Sequence, residues 1–164
     1  MVLTQWTDNH IQILHAEEYE RPDFNEMVSI AYGLISKYNV DKVYIDGSNP
    51  AFIKSLKIRL GESPDYLEQI DLAKKQGFGD GTSNMRIIPV NFNSEHRSLL
   101  GHTKMLLEQD PRVVAINQDK FSKLIVALRT AVAEDGVLDK EATAHDALLD
   151  AYRLALKFYK FEGK

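Results

Sequence analysis

The chain opens on two short apolar runs, "MVLTQW" and "IQILHAEEY", and the polar "TDNH" between them predicts a β-hairpin. In "RPDFNEMVSIAYGLISKYN" the spacing changes to helical. Phe24, Met27, Val28, Ala31, Leu34 and Ile35 recur on one face, Pro22 suits the first turn and Asn39 ends the element. The run "VDKVYIDG" then reads as a buried strand, because Val43, Tyr44 and Ile45 are strand-favouring and Gly47, Asn49 and Pro50 stop it. "PAFIKSLKIRL" predicts a short amphipathic helix with Phe52, Ile53, Leu56 and Leu60 inward. "SPDYLEQIDLAKKQG" predicts another, with Ser63 as cap and Pro64 at its first position.

"FGDGTSN" has no periodicity and reads as a mobile surface loop. "MRIIPVNF" returns to strand, with Pro89 arguing for an edge, a bulge or a strand end. Ser94 to Gln109 is helical in pattern, "RVVAI" is a strand, and a long helix is expected from about Asp119 to Ala133. "EDGVLDKE" makes a turn before the last helix, "ATAHDALLDAYRLALKFYKF", whose apolar side carries Ala147, Leu148, Ala151, Leu154, Ala155 and Phe158. Without a repeat, linker or low-complexity stretch, residues 1–164 read as a single α/β domain.

Composition narrows the class. Hydrophobic residues at 44% and charged residues at 27% are ordinary globular values. No apolar run approaches the ~20 residues of a membrane span, and the opening lacks the regions of a signal peptide, so a cytoplasmic protein is expected. Absence of cysteine removes disulfides and thiolate zinc sites. The net charge of −4 rules out bulk polycationic attraction to nucleic acid but leaves room for local contacts to phosphate. Lys54, Lys57 and Arg59 form one such group and Lys120, Lys123 and Arg129 another; each is equally a solvated helix face.

Asp46 ends the strand "VYID". Capping of the next helix is one use for it, yet Ser48 and Asn49 stand nearer the helix start. The other is a functional site, which open α/β sheets build at the carboxyl ends of their strands. Asp146 and Asp150, four apart in the last helix, share a face; an acidic first turn supported by the helix dipole accounts for them without a ligand. Asp150, however, sits between Leu149 and Ala151, and a carboxylate bordering a core needs compensation. Arg153, Lys74 or Arg86 can supply it, as can a divalent cation shared with Asp46 and coordinated by a few oxygens and water. His145 is a candidate ligand or proton donor, or a solvated side chain; His10, His15, His96 and His102 show no metal-ligand spacing.

The order of these parts resembles the nuclease domain of the large terminase subunit of tailed viruses. That family carries an acid and glycine after an inner strand, matched by Asp46 and Gly47 in "VYIDGSNP". It carries an acidic motif in its last helix, matched in "HDALLDA" by Asp146, Asp150 and Ala151, with Ala147 in place of its second acid. The stretch "RVVAINQDKFSKLIVALRTAV" is also similar to the family's late strand and helix. The resemblance implies a ribonuclease H-like fold, a central mixed sheet flanked by helices. It also implies two-metal hydrolysis of phosphodiester bonds in double-stranded DNA with Mg²⁺ or Mn²⁺. In such chemistry one ion activates water and the other stabilises the leaving oxygen. Asp46, Asp146 and Asp150 are then both the catalytic and the metal-binding residues, Asp46 and Asp150 sharing a cation with Asp146 at the rim. Terminase and portal proteins are the implied partners, in the host cytoplasm.

The family's first catalytic aspartate lies on a first strand, and the chain begins at what corresponds to the second, "VLTQW". The resemblance therefore implies an N-terminally incomplete domain, weak or inactive by itself. "VLTQW" and "KVYID" would each keep an open edge, which favours a homo-oligomer. The glycine-rich phosphate loop of the packaging motor is absent from this sequence. A non-catalytic nuclease-like remnant that binds DNA or a packaging partner is the alternative, followed by another ribonuclease H-like nuclease such as a junction resolvase.

Overall fold

The computed structural model describes residues 1–82 and 84–161. Its elements run β1 (Val2–Thr7), β2 (His10–Ala16), α1 (Phe24–Tyr38), β3 (Val43–Asp46), α2 (Pro50–Arg59), α3 (Tyr66–Lys75) and β4 (Ile87–Val90). They continue with α4 (Phe92–Leu107), β5 (Val114–Ala115), α5 (Ser122–Thr130), β6 (Ala133–Glu134), β7 (Val137–Leu138) and α6 (Asp146–Ala155). The fold is mixed α/β. Two compact units divide it: Arg21–Phe92, and Met1–Glu20 with Asn93–Lys164. No helix among the described residues is long and apolar enough to cross a membrane.

In the Arg21–Phe92 unit, α1 starts where Asp23 Oδ1 accepts the Glu26 amide at 2.8 Å, not at Pro22. It ends at Asn39, whose φ of 47° is the left-handed cap that Asn tolerates. Val28, Ala31 and Ile35 form its buried stripe. Strands β3 and β4 pair in parallel from Val43 opposite Ile87 to Asp46 opposite Val90. At the entry to this ladder Lys42 Nζ donates to the Met85 carbonyl and Arg86 Nε to the Val40 carbonyl, both at 2.7 Å. Pro89 is tolerated because β4 has only β3 as a strand neighbour among the described residues. Helix α3 begins two residues later than the sequence predicts. Ser63 Oγ accepts the Asp65 amide at 3.3 Å in a local turn, and Pro64 stays outside the helix. The following loop is irregular as expected, with Asp80 Oδ1 accepting from both the amide and hydroxyl of Thr82; Ser83 lies outside the described residues.

In the other unit β1 and β2 form the predicted hairpin, with an irregularity between Leu3 and Thr4, and β5 adds in parallel to β2 at Ile11 and Gln12. Its core gathers Ile11 and Ile13 from β2, Leu106 from α4, Leu124 from α5, and Leu148 and Tyr152 from α6. Burial of such side chains stabilises by roughly 1.5–3 kcal/mol each. Trp6 meets Tyr159 edge-on at 5.5 Å, and the Tyr159 hydroxyl donates to the Asp8 carbonyl at 2.9 Å, tying the C-terminal segment to the hairpin.

Three expectations are corrected. Helix α5 is shorter than Asp119–Ala133, because Asn117 Oδ1 captures the Asp119 and Lys120 amides in a turn and Ala133 enters β6. The turn expected in "EDGVLDKE" is present, at Asp135 (φ 50°) and Gly136 (φ 76°) as a type I′ turn requires, and two-residue strands flank it. Helix α6 is confined to Asp146–Ala155, since His145 at φ 52° breaks the helical path before it. Its buried residues are Leu148, Leu149, Tyr152, Arg153 and Leu154, so Leu148 and Leu154 face inward as expected while Ala147 and Phe158 are exposed. Nor is there one central sheet among the described residues: the strands form a mixed β1-β2-β5 sheet, a parallel β3-β4 pair and the β6-β7 hairpin.

Candidate acidic site

Asp46 closes β3 at its carboxyl end and is half-buried. Its Oδ1 accepts the Ser48 amide at 3.0 Å, forming a short turn that directs the chain into α2. The cap of α2 is Asn49, whose Oδ1 accepts the Phe52 amide at 3.2 Å, with Pro50 at the first helical position. Capping is therefore not the role of Asp46. Gly47 keeps this turn tight: its amide donates to the Val90 carbonyl at 2.8 Å, and a Cβ there would lie 3.3 Å from the same oxygen. The Asp46 Oδ2 makes no hydrogen bond or ion pair with the described residues.

Asp146 and Asp150 lie in the other unit. Asp146 is the first residue of α6, half-buried, in the turn where the helix dipole favours an acid. One turn on, Asp150 is engaged through both oxygens. Its Oδ1 accepts from Nη2 of Arg153, and its Oδ2 lies 2.9 Å from Nζ of Lys140. Arg153 has no exposed surface, so its charge requires a buried acceptor. The Arg153 pairing expected from sequence is present, while Arg86 is committed to Val40 in the Arg21–Phe92 unit. Two cations on one carboxylate remove most of the like-charge cost of Asp146 and Asp150 at helical spacing. Of the two, Lys140 is the exchangeable partner, since its side chain is 54% exposed against 0% for Arg153.

The basic groups divide. Lys57 is 2% exposed and pairs with Glu62 at 3.4 Å, and Arg59 donates to Ser29 and lies over the Tyr32 ring at 4.7 Å. Those two are engaged within the unit, although Arg59 is exposed like Lys54. Lys120, Lys123 and Arg129 are all exposed and remain available for phosphate.

Two histidines carry contacts that no spacing rule pointed to. His145 Nδ1 lies 2.7 Å from Glu18 Oε2, joining the start of α6 to the segment after β2. On α4, His96 Nε2 accepts the Leu138 amide at 3.0 Å, and its carbonyl accepts from Arg153 Nη1 at 3.3 Å. Burial first, then the Arg153 charge, lowers the His96 pKa from its ordinary value.

No family model, curated protein or solved structure matches the chain. By donor chemistry, the Oδ2 of Asp46 and the carboxylate of Asp146, each without a hydrogen bond or ion pair among the described residues, suit a hard divalent cation. Asp150 does not in its present state, because both its oxygens already face cations. Among the described residues no three His, Asp or Glu side chains gather as a metal-ligand cluster.

Proposed function

We propose that the chain is a metal-dependent endonuclease domain of the viral DNA-packaging terminase type, with a ribonuclease H-like fold and double-stranded DNA as substrate. The observation that carries this reading is Asp46: half-buried at the carboxyl end of a parallel strand, not needed as a cap, and with one carboxylate oxygen open. Mg²⁺ or Mn²⁺ would be held at Asp46 in the one unit; in the other, Asp146 is the candidate ligand, joined by Asp150 only when Lys140 gives up its oxygen. When bound, such an ion supplies Lewis acidity at a phosphate. The chain's own part is to hold the carboxylates and, through Lys120, Lys123 and Arg129, to offer cations to the DNA backbone. Terminase and portal proteins in the host cytoplasm are the partners this reading names.

Nicking of supercoiled plasmid in Mn²⁺, by the wild type and by Asp46→Asn, tests it. Weak metal-dependent nicking, lost in the variant, is expected. Nicking that Asp46→Asn retains contradicts the role of Asp46, and none by the wild type contradicts catalysis by this chain.

One observation favours a second reading. The double neutralisation of Asp150 is what a non-catalytic, DNA- or partner-binding relative would keep for stability alone. It predicts a salt-dependent gel shift with DNA and no cleavage in either metal.

A further inference from the structure

We infer that His96 is an acid-sensitive pin: its neutral ring holds the β6–β7 hairpin to α4, and its protonation frees that hairpin and loosens Lys140 from Asp150. The inference does not depend on the nuclease reading.

The contacts form a closed circuit over three elements. From α4, the His96 carbonyl accepts from Arg153 on α6, and Arg153 holds Asp150. Asp150 accepts from Lys140, which stands two residues beyond β7, and in β7 the Leu138 amide donates back to the His96 ring. For Nε2 to accept that bond the ring must be neutral, with its proton on Nδ1. A protonated ring has no lone pair to offer, so the buried Leu138 amide would face a second N–H donor.

The charges around the ring make protonation costly. From α6 it faces Arg153 and Asp150, and from the segment after β7 it faces Lys140, two cations against one acid. On α4 itself Glu95 is committed to Lys157, and Arg97 packs under Gly136 of the hairpin turn. The hairpin's own Glu134 and Asp135 are exposed, and Asp139 accepts the Glu141 and Ala142 amides. The hairpin ladder is only Ala133 with Leu138 and Glu134 with Val137, so apart from the buried Leu138 side chain and the Asp139 amide on the Val132 carbonyl, the His96 bond is the main tie to α4.

The test is hydrogen exchange at the Leu138 amide of the whole chain, corrected for intrinsic exchange, at about pH 7.5 and about pH 5.5. Protection should fall several-fold, with a ceiling of about tenfold set by the ordinary histidine pKa near 6.5. In His96→Gln, whose amide oxygen accepts the same bond and does not titrate, protection should be equal at the two pH values. Unchanged protection in the wild type, or the wild-type pH response kept by His96→Gln, overturns the inference. Ring ¹⁵N shifts of the wild type give a reading that needs no variant. The proton on Nδ1 at the higher pH is expected, and a proton on Nε2 overturns it.

Discussion

The guanidinium of Arg153, with no surface of its own exposed, is held by the carboxylate of Asp150 three residues earlier on α6. Removing one partner of a buried ion pair leaves the other charge uncompensated and costs about 3–5 kcal/mol, whereas replacing both by apolar groups is often nearly neutral. Asp150→Leu should therefore lower stability by about 3 kcal/mol in urea denaturation. The double variant Asp150→Leu with Arg153→Met should recover most of that loss. Additive losses would mean that the two side chains do not act as a pair.

Lys140 should behave differently despite touching the same carboxylate. Its side chain is mostly exposed, and exposed ion pairs contribute about 0–1 kcal/mol. Lys140→Ala should leave the urea midpoint nearly unchanged at moderate salt. A large loss would show that Lys140 is as structural as Arg153.

At the other acid, cap and candidate ligand separate cleanly. Asn49→Ala removes the acceptor for the Phe52 amide and should cost about 1 kcal/mol. Asp46→Asn keeps an oxygen for the Ser48 amide and should change stability by no more than about 0.5 kcal/mol. If Asp46→Asn proves the more damaging substitution, its carboxylate has a structural task.

Much of this was legible in the sequence because it follows from local rules. The hairpin at Asp8 and Asn9, the stop at Asn39 and the strand-end position of Asp46 all come from periodicity and turn chemistry. So did Asp150's need for a counter-charge, since flanking Leu149 and Ala151 announce burial. The end of α6 at Ala155 and the buried state of Lys57 were not legible, because tertiary packing decides them. The Asp135–Gly136 pair is a direct hairpin signal; its strands are two residues each, too short for an alternating pattern to mark. Lys140 on Asp150 joins positions ten apart across a turn, and His96 with Leu138 spans forty-two. No spacing rule reaches such contacts.

The titration of His96 gives stability a pH dependence of known sign. Its folded-state pKa is lowered, so between that value and about 6.5 the unfolded chain binds more protons than the native one. The contribution is fully present above about pH 6.5 and is lost as pH falls through the lowered native value. Urea denaturation across mildly acidic pH should show wild-type stability falling more steeply than that of His96→Gln. Parallel slopes would contradict it.

The reading of this chain stands most directly on Asp46 as a cation ligand, and the melting temperature in rising Mn²⁺ measures that. Binding to the native state alone stabilises by about 2.7 kcal/mol when the free ion is a hundredfold above its dissociation constant. The wild type should melt at progressively higher temperature as Mn²⁺ is added, and Asp46→Asn, equally stable without metal, should not respond. Equal responses in the two proteins, or none in either at millimolar metal, would contradict the assignment of a cation to Asp46.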